Sequence, residues 1–163
     1  MSGDALQVAA GPDFRIHVLK AGQLSEVYGV ARPRRGVTRE DIETYTEFYT
    51  RAITDPEQRR EYLSGMDHPS RPEALPGYDQ IIVSDDGNVW ARVYQPDLLA
   101  AAAWYVFAPG REWLGQVRTP EDFTVSAIAR GNLVGVWRDT LGVEHVRVYR
   151  LRTEEEARAG GVH

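Results

Sequence analysis

Residues 81–94 read Ile-Ile-Val-Ser-Asp-Asp-Gly-Asn-Val-Trp-Ala-Arg-Val-Tyr, and they decide the fold class. Ile81 to Ser84 is a short β-branched run with the character of a strand. Asp85-Asp86-Gly87 makes a tight turn, because Gly87 can take the left-handed backbone that a three-residue hairpin loop requires. Val89 to Tyr94 then runs back as a second strand.

Working outward, the same pattern returns. Gly87-Asn88-Val89-Trp90 recurs as Gly131-Asn132-Leu133-Val134, 44 residues later, and Trp104-Tyr105-Val106-Phe107 matches Val146-Arg147-Val148-Tyr149, 42 residues later. Phe14-Arg15-Ile16-His17-Val18 is a third copy of that strand, and it alternates apolar and polar residues as a half-buried strand does. Leu24 to Val30 follows as its hairpin partner. Further strands are expected at Trp113 to Val117, Phe123 to Ala129, Leu133 to Trp137 and Val143 to Leu151, with turns at Pro109-Gly110 and Thr140-Leu141-Gly142. A period of about 42 to 44 residues made of four short strands is the size of one propeller blade. A blade is a twisted sheet with two apolar faces, which it buries against its neighbours. The expected fold is therefore mainly β: a partial β-propeller of about two to three four-stranded antiparallel blades with a helical insertion. A β-sandwich with an accidental repeat is the alternative.

The insertion occupies residues 31–76. Arg32, Pro33, Arg34, Arg35 and Gly36 break the strand pattern. Thr38 can cap a helix, with Asp41 three residues on, close to a capping box. Ile42, Tyr45, Phe48, Tyr49, Ala52 and Ile53 recur at helical spacing, which gives one apolar face. Asp55-Pro56 restarts the chain as cap and first helical residue of a short polar helix reaching about Leu63. Pro69, Pro72 and Pro76 then mark a loop. The chain thus divides into a partial first blade (1–30), the insertion and loop (31–76), one complete blade plus a final three-stranded blade (77–151) and a solvated tail (152–163).

Composition bounds the function. In 163 residues, acids outnumber bases 24 to 19, for a net charge of −5. That disfavours nucleic acid as a partner, since its binders carry a basic face. Cysteine is absent, so disulfides, thiolate metal sites and a cysteine nucleophile are excluded. Met1 to Ala10 has no basic stretch of the kind that opens a signal peptide. The longest apolar run, Leu98 to Val106, is about half the roughly 20 residues of a membrane span. The chain as written reads as cytoplasmic and without a membrane span.

The run Leu75-Pro76, Ile81 to Val83 and Asp86-Gly87-Asn88-Val89-Trp90 resembles the bacterial six-bladed β-propeller proteins of the TolB-like and NHL-like type. Val106-Phe107, Gly110 and Trp113-Leu114-Gly115 are similar to that family's paired strands, with Ala108 standing where the family has an acid. Leu133 to Trp137, Asp139 and Gly142 to Leu151 resemble its last blade. The resemblance covers about residues 3 to 151 and implies the C-terminal half of such a propeller. It also implies relatives that are often exported. Half a propeller leaves open sheet faces and edges, which invite association, so the expected partner is a protein, a second copy of the chain first.

Candidate sites are sparse. His17, His68, His145 and His163 show no metal-ligand spacing. Asp85-Asp86-Gly87-Asn88 is oxygen-rich but lacks the spacing of a calcium loop, and Asp139 and Glu144 flank a hairpin rather than a sugar cleft. No G-x-S-x-G serine motif or phosphate loop occurs. The sequence therefore names no catalytic, metal or cofactor residue. The Arg32, Arg34 and Arg35 cluster reads as locally paired or solvated. Tyr45, Phe48 and Tyr49 on the helix stripe, together with Trp137, are the expected interface residues. The functional expectation is a non-enzymatic interaction or ligand-binding module; an enzyme of the six-bladed type, such as a metal-dependent lactonase, or a remnant without activity of its own, is the alternative.

Overall fold

The hairpin at Ile81 to Tyr94 lies at the centre of the molecule. A computed structural model describes residues 14–20, 23–66 and 72–152. In it β3 (Tyr78–Val83) pairs antiparallel with β4 (Val89–Val93), followed by β5 (Ala103–Phe107) and β6 (Trp113–Arg118) in one four-stranded sheet. Gly87 turns the first hairpin at φ 82°, the left-handed conformation that glycine adopts without steric cost. Ser84 and Asn88 flank the turn, and Asp86 accepts hydrogen bonds from the Ser84 hydroxyl and from the Asn88 amide.

Two smaller sheets flank this one. β1 (Arg15–Lys20) and β2 (Gln23–Gly29) form a hairpin, and β7 (Phe123–Ala129), β8 (Asn132–Arg138) and β9 (Glu144–Arg150) form a three-stranded sheet. All pairings are antiparallel. The register explains why the middle sheet reads as a nearly continuous apolar run. Val89 opposes Phe107 and Ala91 opposes Tyr105, and directly opposed residues share a face. With Tyr78 they pack against Phe14, Ile16, Val18 and Tyr28 of the hairpin. Trp90 opposes Val106 and Trp104 opposes Val117, and this other face packs against Phe123, Val125, Ile128 and Leu133. Both faces of the middle sheet are therefore covered. Phe107 is fully buried and Trp104 nearly so; burying one such ring contributes about 2–3 kcal/mol.

The expected architecture is found at the level of a mainly β chain of antiparallel sheets with two helices among the described residues. α1 (Arg39–Thr50) and α2 (Pro56–Met66) fall between β2 and β3, inside the expected insertion. The apolar stripe was expected to continue to Ile53, but α1 stops at Thr50. Arg51 closes it, and the Ile53 amide folds back onto the Thr50 carbonyl at 2.9 Å. The second helix runs three residues past the expected Leu63 to Met66, because no helix breaker stands at 64–66 that outweighs the run of good helix formers before it. Residues 153–163 of the expected 152–163 tail, His163 among them, the first 13 residues, His68 and Pro69 lie outside the described residues.

Candidate functional site

The helical insertion and the end of the middle sheet enclose a cleft of about 790 Å³. Its position follows from local chemistry. Thr38 is the N-cap of α1 and forms the capping box foreseen from its spacing to Asp41. The Asp41 amide donates to the Thr38 hydroxyl at 3.2 Å, and the Asp41 carboxylate accepts from the Thr38 amide at 2.9 Å. Asp41 does more than cap. Its other carboxylate oxygen accepts from Arg35 at 2.6 Å, and the residue is 5% exposed. Burial pushes this carboxyl up, but the Thr38 hydroxyl and amide and the Arg35 guanidinium outweigh it, so the group lies below its ordinary value. The Arg35 segment is itself tied down. Val37 donates to the Glu73 carbonyl, Leu75 donates to the Arg35 carbonyl, and Gly36 bridges Ala74. These bonds hold the start of α1 against the chain that enters β3.

The cleft walls are Ile42, Tyr45 and Thr46 from α1, Arg60, Leu63 and Ser64 from α2, and Leu75, Pro76, Tyr94 and Pro96 from the segments flanking the sheet. Tyr45 and Tyr94 carry hydroxyls whose pKa values are raised. For Tyr45 the cause is burial, reinforced by Tyr49, Tyr62 and Tyr94; for Tyr94 it is burial, reinforced by Tyr49, Asp79 and Asp41. Both therefore stay neutral and can donate hydrogen bonds throughout the physiological range. Asp79 is engaged by Arg92 in a two-pronged contact at 2.6 and 3.0 Å. Among the described residues, the Arg60 side chain has no hydrogen bond or ion pair.

The second feature is the outer face of the last sheet. Trp137 opposes both Phe123 and His145, and Gly135 opposes Arg147, so these residues face inward. Val134 opposes Val148 and Val136 opposes Val146, which sets four valines on the opposite face. Val146 is 77% exposed and Val148 61%.

The four expected interface residues divide. Tyr45 lines the cleft. Tyr49 is partly exposed and its ring lies 4.3 Å from that of Tyr45. Phe48 is half-buried beneath Arg51, whose guanidinium is 4.4 Å from the ring centroid. Trp137 lies on the inner face, with the Arg147 guanidinium stacked 3.4 Å from its centroid. The helix stripe and Trp137 are thus parts of two separate regions. The valines were missed because Val146 and Val148 read as members of an ordinary strand, and only the register shows which face they take.

The other sequence candidates are absorbed into structure. Asp85 accepts the Arg130 amide at 3.1 Å, which links the two related glycine turns. Asp139 accepts from the amides of Leu141 and Val143 and contacts the His145 ring at 3.1 Å, while Glu144 pairs with Arg138 at 2.7 Å. Of the arginine cluster, Arg35 is held by Asp41. Among the described residues no three His, Asp or Glu side chains are grouped to share a metal ion, and no helix is long and apolar enough to cross a membrane. Compared with family profiles, curated proteins and solved structures, the chain matches none.

Proposed function

We propose that this chain is a binding module, a section of a β-propeller that works by docking a further sheet onto the valine face of β7–β9, and that the sheet belongs to a second copy of the chain. The exposure of Val146 and Val148 carries this reading. A sheet that ends a stack normally turns polar side chains to water, whereas apolar residues on both faces suit a sheet covered on both sides. Four valines on one uncovered face are a docking surface for another sheet about 10 Å away. Arg147 is turned inward onto Trp137, while Glu144, paired with Arg138, and Arg150 lie at the two ends of the valine face, where their charge disfavours indiscriminate strand addition and frames the valines between them.

The sheet count supports a specific geometry. Among the described residues each copy contributes three sheets, and two copies would contribute the six of the TolB-like propellers that the sequence resembles. A two-fold dimer of this kind sets the valine face of each copy against the β1–β2 hairpin of the other. Light scattering on a sizing column tests it. The wild-type chain is expected as a discrete dimer, and Val146→Lys with Val148→Lys as a monomer with an unchanged circular dichroism spectrum. A wild-type monomer across the micromolar range sinks the proposal, as does a dimer that both lysines leave intact.

A further inference from the structure

We propose that the cleft between the helical insertion and the middle sheet binds an amphipathic carboxylate, an apolar body ending in one negative charge. This is independent of the dimer, because no cleft residue lies on the valine face. Volume sets the first limit: about 790 Å³ falls within the roughly 300–1,000 Å³ of small-molecule sites. Lining sets the second. Ile42, Leu63, Leu75, Pro76 and Pro96 are apolar, and the Tyr45 and Tyr94 rings add flat aromatic walls.

Charge sets the third limit and decides the class of ligand. Only Asp41 and Arg60 among the lining residues are charged. Asp41 is spent, since Arg35 neutralises it at Oδ1 and the Thr38 amide and hydroxyl both bond Oδ2. Arg60 has no partner among the described residues. The cleft therefore presents one uncompensated positive charge in a chain whose net charge is −5. A guanidinium offers a forked pair of donors that matches a carboxylate. The neutral hydroxyls of Tyr45 and Tyr94 add O–H donors that a carboxylate can accept. A cationic ligand, which tyrosine rings would otherwise suit, meets Arg60 and is repelled.

Dodecanoate and dodecanol serve as paired competitors against the fluorescent anion anilinonaphthalenesulfonate, on the full chain. Saturable emission is expected, displaced by dodecanoate at concentrations at least about tenfold lower than by dodecanol. Arg60→Glu is expected to weaken both anions about tenfold or more. Arg60 is exposed on its helix, so this variant keeps the fold. Val146→Thr with Val148→Thr is expected to leave the affinity unchanged, because the probe sits in the cleft and not on the sheet. Equal displacement by acid and alcohol overturns the proposal. So does an affinity indifferent to Arg60→Glu, or emission that disappears with the threonine pair.

Discussion

The side-chain amide of Gln80 on β3 donates to the main-chain carbonyl of Val125 on β7 at 3.1 Å, across a separation of 45 residues. Asp85, whose carboxylate accepts a hydrogen bond from the Arg130 amide, and Arg130 are separated by the same 45. Corresponding strands of the middle and last sheets therefore lie side by side and are tied at two points with one sequence offset. β7 is an edge strand of the last sheet, and its register with β8 shifts between Val125 and Ala127. The shift leaves Ser126 outside the ladder, and Gln80 bonds the residue just before it.

Replacing Gln80 tests that tie. Gln80→Met keeps the side chain's bulk and removes its donor, which leaves a part-buried carbonyl unpaired. A loss of about 1–2 kcal/mol in urea unfolding is expected. An unchanged midpoint would mean that water replaces the amide and that the two sheets hold together through their apolar contacts alone.

Asp41 gives the fold an acid-sensitive joint. Its pKa is lower in the folded chain than its ordinary value of 3.8, so the carboxylate contributes stability above that value. The contribution is lost as pH falls through the lower, folded value. Asp41→Asn keeps the shape and removes the charge. It is expected to lose about 1 kcal/mol at neutral pH, the usual worth of such a cap, and to show a shallower decline than wild type below about pH 4. Urea midpoints measured across that range check both; parallel pH profiles for the two proteins would contradict the role given to Asp41.

Gly135 is fixed by close approach. A Cβ at this position would lie 2.2 Å from the Thr124 carbonyl oxygen and 2.7 Å from the Phe123 ring. The first contact is with backbone and cannot be relieved by a rotamer change. Gly135→Ala is expected to destabilise the last sheet by about 3 kcal/mol, seen as a lower thermal midpoint and a changed near-ultraviolet signal from Trp137. A neutral alanine would refute the β7–β8 register itself.

Much of this fold is legible in the chain. Short β-branched runs and glycine turns set the hairpins, since Gly87, Gly131 and Gly142 all take positive φ, a local requirement that needs no distant partner. Thr38 and Asp41 set the start of α1 for the same reason. The cleft was not legible. Tyr45 and Tyr94 are 49 positions apart in sequence, and neither carries a pattern that announces the other. Phe48 and Tyr49 share the stripe with Tyr45, yet only Tyr45 lines the cavity.

Periodicity in this chain determined which residues form strands and where the turns fall, because backbone sterics and side-chain alternation act over a few residues. Tertiary structure alone decided which face each residue takes and which charges remain unpaired. A one-residue slip reverses the faces of a strand, so the outward valines of β9 and the inward Trp137 depend on the full ladder. Arg35 reads in the sequence as locally paired or solvated, and only packing gives it a buried carboxylate; the place of Arg60 in the cleft likewise comes from packing alone.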